Sequence, residues 1–134
     1  MTYLLDTNAF SALMKGDPTV VGRLRAIAKP SVSIPQPVLA EIAYGLARLP
    51  RSKRKAALTK RLILLRDEIV HAPWTDDVSE HFGALKALLE RRGTRLEDFD
   101  LAIAAHALSA GAVLVTADTD HLSVPGLVVE NWSR

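Results

Sequence analysis

The sequence predicts one α/β domain, residues 1–134, in which a mostly parallel sheet of four to five strands lies between layers of helices. Short apolar runs typical of buried strands alternate with longer segments in which apolar residues recur at helical spacing. A chain of 134 residues, of which 49% are apolar, has the size and composition of one hydrophobic core. Because strands separated by helices are joined by right-handed crossovers, we expect helices on both faces of the sheet.

The first half of the chain predicts two strands and three helices. Tyr3–Asp6 is an apolar run that ends in turn and N-cap residue types, so a helix is expected to begin near Thr7–Phe10. A proline in the first turn and apolar residues at helical spacing predict a second helix over Pro18–Ala28. The next strand is predicted at Ser31–Ile34, and two prolines then open a third helix, Pro35–Leu46.

The second half predicts three helices and three strands. A basic helix over Ser52–Arg66 leads into a strand at Ile69–Ala72, which a proline closes. A cap-forming threonine followed by two aspartates predicts a long helix over Thr75–Gly93, and another helix follows over Glu97–Gly111. The last two strands are predicted at Val113–Thr116 and Leu127–Glu130.

The segment Leu101–Ala117 carries no charged residue and approaches the length of a membrane span. A Ser-Ala-Gly break divides it, so a buried helix followed by a buried strand is the better interpretation. The N-terminus has no basic segment or long apolar run of a signal peptide. Cysteine is absent, which excludes disulfides, thiolate metal sites and cysteine nucleophiles. We therefore expect a soluble cytoplasmic protein that does not associate with membranes.

Four acids are predicted to meet at the carboxyl edge of the sheet, where open parallel sheets bind their ligands. Asp6 ends the first strand, and Asp118 lies two residues beyond the fourth. Glu41 and Asp100 lie near the starts of two helices that begin at the same edge. Each acid alone is also explained by a local cap or turn, so their common position is what favours a functional site.

A cluster of four carboxylates favours a site for hard divalent cations. Without a cation the negative charges would repel one another, whereas Mg²⁺ and Mn²⁺ prefer oxygen ligands and share carboxylates with substrate phosphates. A soft-metal site is not expected, because cysteine is absent and the four histidines include no His-x-x-x-His pair.

The acids lie in four segments whose order and spacing form a specific pattern. These segments are Leu4–Asn8, Leu39–Gly45, Asp100–Ala107 and Leu114–Asp118. Together they resemble the acidic segments of PIN-domain ribonucleases, and the short chain is similar to the VapC toxins of type II toxin–antitoxin modules. The opening Asp-Thr-Asn is a weak signal by itself, but the ordered set covers nearly the whole chain.

The resemblance implies hydrolysis of RNA phosphodiester bonds at a site that holds Mg²⁺ or Mn²⁺ as its cofactor. Carboxylates would bind the cation, and neighbouring hydroxyl and amide groups would support them. The implied catalytic and metal-binding acids are Asp6, Glu41, Asp100 and Asp118, and the implied supporting residues are Thr7, Asn8 and Thr116.

Two assignments in these segments stay open. Asp98 and Asp100 are two residues apart, so on a helix only one faces inward. The resemblance favours Asp100, which leaves Asp98 as the expected N-cap. Asp120 competes with Asp118 for the fourth acidic position. His106, in an apolar helix, is interpreted as a core residue or as a support for the acids.

Positive charge is concentrated in the first half of the chain. Residues 1–66 contain 12 Lys and Arg against three acids, whereas residues 67–134 contain five against 12. Such clustering indicates a phosphate-binding surface, with a solvated helix face as the simpler alternative. Because only 5% of residues are aromatic, we expect a folded RNA held through its phosphates. The candidate RNA-binding residues are Arg48, Arg51, Lys53, Arg54 and Lys55.

The predicted function is that of a metal-dependent endoribonuclease toxin. The resemblance also implies a homodimer and a small VapB-like antitoxin that covers the active-site groove. The apolar faces of Ala9–Met14 and Val38–Leu49 are candidate docking surfaces for that antitoxin, with membership of the core as the equal alternative.

The sequence lacks residues that two phosphotransfer folds require. A dehalogenase-like phosphotransferase requires a second acid two residues after Asp6, where Asn8 stands, and a receiver-like domain requires a lysine after the fifth strand, which residues 119–134 lack. A domain that binds RNA or protein without cutting stays an alternative. DNA cleavage also stays open, because the metal chemistry does not require the 2′-hydroxyl group.

Overall fold

The computed structural model describes residues 1–134, and its five short strands form one parallel sheet. The strands are β1 (Tyr3–Leu5), β2 (Val32–Pro35), β3 (Val70–Ala72), β4 (Val113–Val115) and β5 (Val129–Glu130). Each agrees with its predicted segment to within two residues, so the predicted α/β fold with a parallel sheet is confirmed.

Six α-helices flank the sheet, each near a predicted position. They are α1 (Thr7–Met14), α2 (Pro18–Arg25), α3 (Gln36–Ala47), α4 (Lys53–Glu68), α5 (Asp76–Arg91) and α6 (Asp98–Ala110). Helix α2 ends three residues before the predicted Ala28, because the backbone of Ala28 is extended and the chain then enters a short 3₁₀ helix, Lys29–Ser31. None of the helices is both long and apolar enough to cross a lipid bilayer.

The strand order β3-β2-β1-β4-β5 places β1 at the centre of the sheet. Tyr3 of β1 is in register with Val32 of β2 on one side and with Val113 of β4 on the other. The chain adds β2 and β3 on one side of β1 and then crosses over to add β4 and β5 on the other side. The strand order therefore reverses between β1 and β4, which is where open parallel sheets bind ligands.

Several of the apolar residues that were also considered for partner docking lie in the core. Phe10 and Leu13 of α1 are buried, as are Val38, Ile42 and Leu46 of α3, all within one cluster of 19 buried residues. These side chains are therefore unavailable to a partner, and the core alternative is the correct one for them. A smaller cluster of five buried residues lies between α5, α6 and the segment that follows β4.

Candidate active site

Asp6 links the central strand to the first helix. It directly follows β1, and its carboxylate accepts a hydrogen bond of 2.8 Å from the backbone N–H of Ala9, which makes it the N-cap of α1. The side chain is only 4% exposed. Burial raises the pKa of Asp6, while hydrogen bonds from Thr116 and Ala9 oppose the rise. Asp6 is therefore a buried carboxyl group held in place by neighbouring donors.

Glu41 lies in the second turn of α3 and is connected to α1. The hydroxyl of Thr7 donates a hydrogen bond of 2.5 Å to Oε1 of Glu41. Asn8, the next residue of α1, is exposed and lines the same groove as Thr7 and Glu41. The two helices that follow β1 and β2 are thus joined where their predicted functional residues lie.

Asp100, the third residue of α6, lies within electrostatic range of the other predicted acids. Burial is the main cause of its raised pKa, and the charges of Asp118, Glu41 and Asp6 raise that pKa further. These carboxylates come from four segments that are far apart along the chain. The structure therefore brings all four predicted acids into one electrostatic neighbourhood.

Asp118 is the better placed of the two competitors for the fourth acidic position. Its backbone N–H donates to the hydroxyl of Thr116 at 2.9 Å, and its carboxylate accepts from the N–H of Asp120 at the same distance. Asp118 contributes to the raised pKa of both Asp6 and Asp100. Asp120 is exposed and lines a cleft beside Asp100.

His121 belongs to this neighbourhood, and the sequence reasoning overlooked it. It lies in the 3₁₀ helix Thr119–Ser123 that follows β4, and it is only 1% exposed. Neither ring nitrogen has a hydrogen-bond partner. A positive charge on the ring would oppose the raised pKa of both Asp6 and Asp100, so the ring is within electrostatic range of both carboxylates. The only sequence signal was its position three residues after Asp118.

The structure also decides the expected roles of Asp98 and His106. The expected role of Asp98 as N-cap is wrong, because Glu97 is the N-cap of α6 and Asp98 is its first residue. The Asp98 carboxylate instead accepts a hydrogen bond of 2.9 Å from Nζ of Lys86. His106 is a core residue as expected, with its ring edge-on to Trp74 at a centroid distance of 5.4 Å.

The acidic neighbourhood fits a hydrated divalent cation better than a directly caged one. No group of three or more His, Asp or Glu side chains is arranged to hold a metal ion by itself. However, the donors are all hard oxygens, and Mg²⁺ keeps several water molecules when one or two carboxylates bind it. Burial is the main cause of the raised pKa of Asp6 and of Asp100, and the neighbouring carboxylate charges that add to it are ones that a cation would offset.

Two openings with different charge border the acids. A groove of about 270 Å³ is lined by Glu41 and by the cations Lys15 and Arg54, neither of which forms an ion pair. On the other side, a cleft of about 480 Å³ beside Asp100 is lined by two cations and five acids. The groove is therefore the more favourable path for a polyanion.

The predicted basic residues have different surroundings. Arg54 lines the groove beside Glu41, whereas Arg51 and Lys55 line a separate depression on α4. Nζ of Lys55 donates to the carbonyl of Leu49 at 3.2 Å. The guanidinium of Arg48 lies 5.8 Å from the ring centre of Tyr44.

The fold and the acidic neighbourhood define an α/β protein whose acidic site lies where the strand order of the parallel sheet reverses. The PIN domain family matches residues 3–127, so the chain belongs to the PIN-domain family. Among its relatives are VapC ribonucleases that align over their whole length. It is 31% identical to Ribonuclease VapC2 of Rickettsia felis over 137 residues, with all of both chains covered.

Two further comparisons agree with this assignment. The chain is 28% identical to the tRNA(fMet)-specific endonuclease VapC of Shigella flexneri over 134 residues, covering 99% of each chain. A crystal structure of VapBC2 from Rickettsia felis, bound to a DNA fragment from their promoter, superposes with a TM-score of 0.88 at 30% identity. That superposition covers 98% of this chain and 99% of the other.

Proposed function

We propose that this protein is a metal-dependent endoribonuclease of the VapC type. The observation that carries the proposal is that Asp100 is influenced by the charges of Asp118, Glu41 and Asp6, each on a different segment. Such an accumulation of carboxylates opposes folding unless it serves a ligand, because buried like charges repel. The relatives described as VapC ribonucleases support the same activity.

The proposed division of labour follows from the position of each residue. Asp6, Asp100 and Asp118 would hold Mg²⁺ or Mn²⁺, and Thr116 would orient Asp6 and Asp118 through its hydroxyl. Glu41 would complete the cation site or orient the attacking water, with Thr7 fixing its carboxylate. A bound divalent cation supplies an acidified water and charge stabilisation on the leaving oxygen.

The RNA backbone is proposed to enter along the groove between α1, α3 and α4. Arg54 and the newly identified Lys15 would contact phosphates there, and Asn8 and Glu41 line the same groove. The other predicted cations, Arg48, Arg51, Lys53 and Lys55, would contribute a more distant attraction. A structured RNA is the proposed substrate class, and tRNA is the first to assay because one relative is a tRNA(fMet)-specific endonuclease.

The biological role proposed is that of a cytoplasmic toxin controlled by a VapB-like antitoxin. This rests on the likeness to Ribonuclease VapC2 and to the VapBC2 structure. A homodimer is proposed as the assembled form of the toxin. Expression of the chain alone should arrest growth, and coexpression of the small gene beside it should restore growth.

Cleavage assays separate this function from a binding role without cleavage. Purified protein with Mg²⁺ or Mn²⁺ should cleave RNA, and a chelator should stop the reaction. Asp100→Asn should remove cleavage while the fold, measured by circular dichroism, is retained. Lys60→Ala on α4 is a matched control, because Lys60 lines a depression away from the acids. RNA binding with no cleavage under any divalent cation would instead support the non-cleaving alternative, and cleavage of DNA alone would reassign the substrate.

A further inference from the structure

The last strand of the sheet lies at an edge and is only two residues long. Strand β5 pairs with β4 alone, so few backbone hydrogen bonds hold it in place. One of these bonds lies at the acidic site, because the N–H of Thr116 donates to the carbonyl of Glu130 at 3.0 Å. So short a strand gains little from its ladder alone, and side-chain contacts are expected to hold it in register.

The side chain of Glu130 makes such contacts. Its Oε1 accepts a hydrogen bond of 2.6 Å from Nη2 of Arg23 on α2 and one of 2.9 Å from the indole N–H of Trp132. Trp132 is 1% exposed and packs against the ring of Tyr3 on β1 at a centroid distance of 5.5 Å. These two hydrogen bonds form a Glu130 clasp, which joins the edge strand to a helix 107 residues earlier in the chain and to the central strand.

The carbonyl of Glu130 ends a row of hydrogen bonds that runs across the carboxyl edge of the sheet. The first bond of the row runs from the N–H of Asp6 to the carbonyl of Val115 at 3.1 Å. The second is the bond from Thr116 to Glu130, and the hydroxyl of Thr116 accepts from the N–H of Asp118 at 2.9 Å. A displacement of Glu130 would therefore displace the residue that holds Asp118.

We propose that Glu130 is a positioning residue for the acidic site, a role that rests on the proposed function and extends it. The clasp holds β5 so that the carbonyl of Glu130 fixes Thr116, and Thr116 in turn fixes Asp118. Glu130 acts through Thr116 and does not contact the reacting atoms. Coupling of this kind requires contiguous contacts, and each hydrogen bond of the chain from Arg23 to Asp118 is present.

Amide hydrogen exchange, followed by NMR on the full chain without RNA, tests the positioning role. Glu130→Leu removes the acceptor of the clasp, so the N–H of Thr116 should exchange at least about 10-fold faster than in the wild type. The N–H of Val113, on the same strand, donates to the carbonyl of Thr2 at 2.9 Å and should exchange at the wild-type rate. Glu130→Gln retains a side-chain oxygen acceptor and should restore most of the protection.

Cleavage kinetics test the consequence for the site. Glu130→Leu should lower kcat by about 10- to 100-fold with little change in KM, because a small displacement of catalytic groups slows the step that follows binding. Thr116→Val removes the hydroxyl that holds Asp118, and adding Glu130→Leu to it should cause little further loss, because both changes act through one contact. Arg25→Leu is the matched control and should retain wild-type kinetics, since Arg25 is also on α2 but forms no ion pair.

The possible outcomes distinguish this inference from the proposed function. Unchanged exchange at Thr116, or equal acceleration at Thr116 and Val113, would overturn the role of Glu130, because the second result indicates global destabilisation. Wild-type kcat in Glu130→Leu, or additive losses in the double variant, would also overturn it while the ribonuclease proposal stands. A wild type that cleaves no RNA with any divalent cation would overturn the proposed function, whereas faster exchange at Thr116 alone would still support the clasp.

Discussion

The hydroxyl of Thr7 donates a 2.5 Å hydrogen bond to Oε1 of Glu41, a residue 34 positions further along the chain. This contact joins the first turn of α1 to the second turn of α3, beside the buried carboxyl group of Asp6. A glutamate side chain has several rotatable bonds, so this donor restricts where the Glu41 carboxylate lies. The geometry of the acidic site thus depends on a neutral hydroxyl as well as on the acids.

Thr7→Val should lower RNA cleavage because the Glu41 carboxylate loses the donor that positions it. A hydrogen bond to a charged group contributes about 1.5–3 kcal/mol, so we expect kcat/KM to fall by about 10- to 100-fold. Thr7→Ser retains the hydroxyl and should stay close to wild type. Steady-state cleavage of a labelled RNA measures both variants, and wild-type kinetics in Thr7→Val would show that Glu41 does not depend on this contact.

Asp6→Asn should abolish cleavage and yet stabilise the metal-free protein at neutral pH. The pKa of Asp6 is raised above its unfolded value of about 3.8 by burial, so its ionised form destabilises the folded state. Asparagine still accepts from the N–H of Ala9 and therefore keeps the helix cap. Thermal unfolding in a chelator should show a higher Tm for the variant.

The direction in which stability changes with pH follows from the same raised pKa. Stability supplied by Asp6 and Asp100 is fully present below their unfolded pKa and is lost as the pH rises through their raised folded pKa. The advantage of Asp6→Asn over wild type should therefore grow between pH 4 and neutrality. An advantage that shrinks over this range would contradict the assignment of a raised pKa.

His106 should make the protein less stable as the pH falls, which is opposite to the pH dependence expected from Asp6 and Asp100. Burial lowers the pKa of His106 below its usual 6.5, so the folded protein keeps the ring neutral. Its stability contribution is present above the unfolded pKa and is lost as the pH falls through the lowered folded pKa. Urea unfolding from pH 7 to pH 5 should show a smaller loss of stability in His106→Leu than in the wild type.

Lys15→Ala and Arg54→Ala should weaken RNA binding through the loss of phosphate contacts. Each contact to a single-stranded region changes the slope of log affinity against log salt by about 0.7, so each variant should lower that slope by about this amount. Lys60→Ala serves as the control, because Lys60 lines a depression on α4 that is separate from the groove. Binding is measured over a salt series with a catalytically inactive Asp100→Asn background, and an unchanged slope would remove the groove from the RNA path.

The order of strands and helices could be predicted because the signals are local. Apolar spacing, prolines in first turns and cap-forming side chains act within a few residues, and Asp6 and Thr75 cap the helices that their types predicted. The convergence of the acids could be predicted because parallel strands end at one edge of a sheet.

Other features depended on packing between distant segments. No side chain caps the start of α6, and the Asp98 carboxylate instead accepts from Lys86 of α5, twelve residues away along the chain. That Lys15 and Arg54 line the same groove depends on how α1 packs beside α4.

The sequence by itself determined the alternation of elements and the four acids that end at one edge, since each follows from short-range stereochemistry and strand direction. Only the tertiary structure decided that His121 is buried with both nitrogens unpartnered. A short 3₁₀ helix has no periodic apolar pattern, and burial of its side chains depends on what packs over it. Desolvation and electrostatic coupling, which set the properties of this site, arise only when remote segments meet.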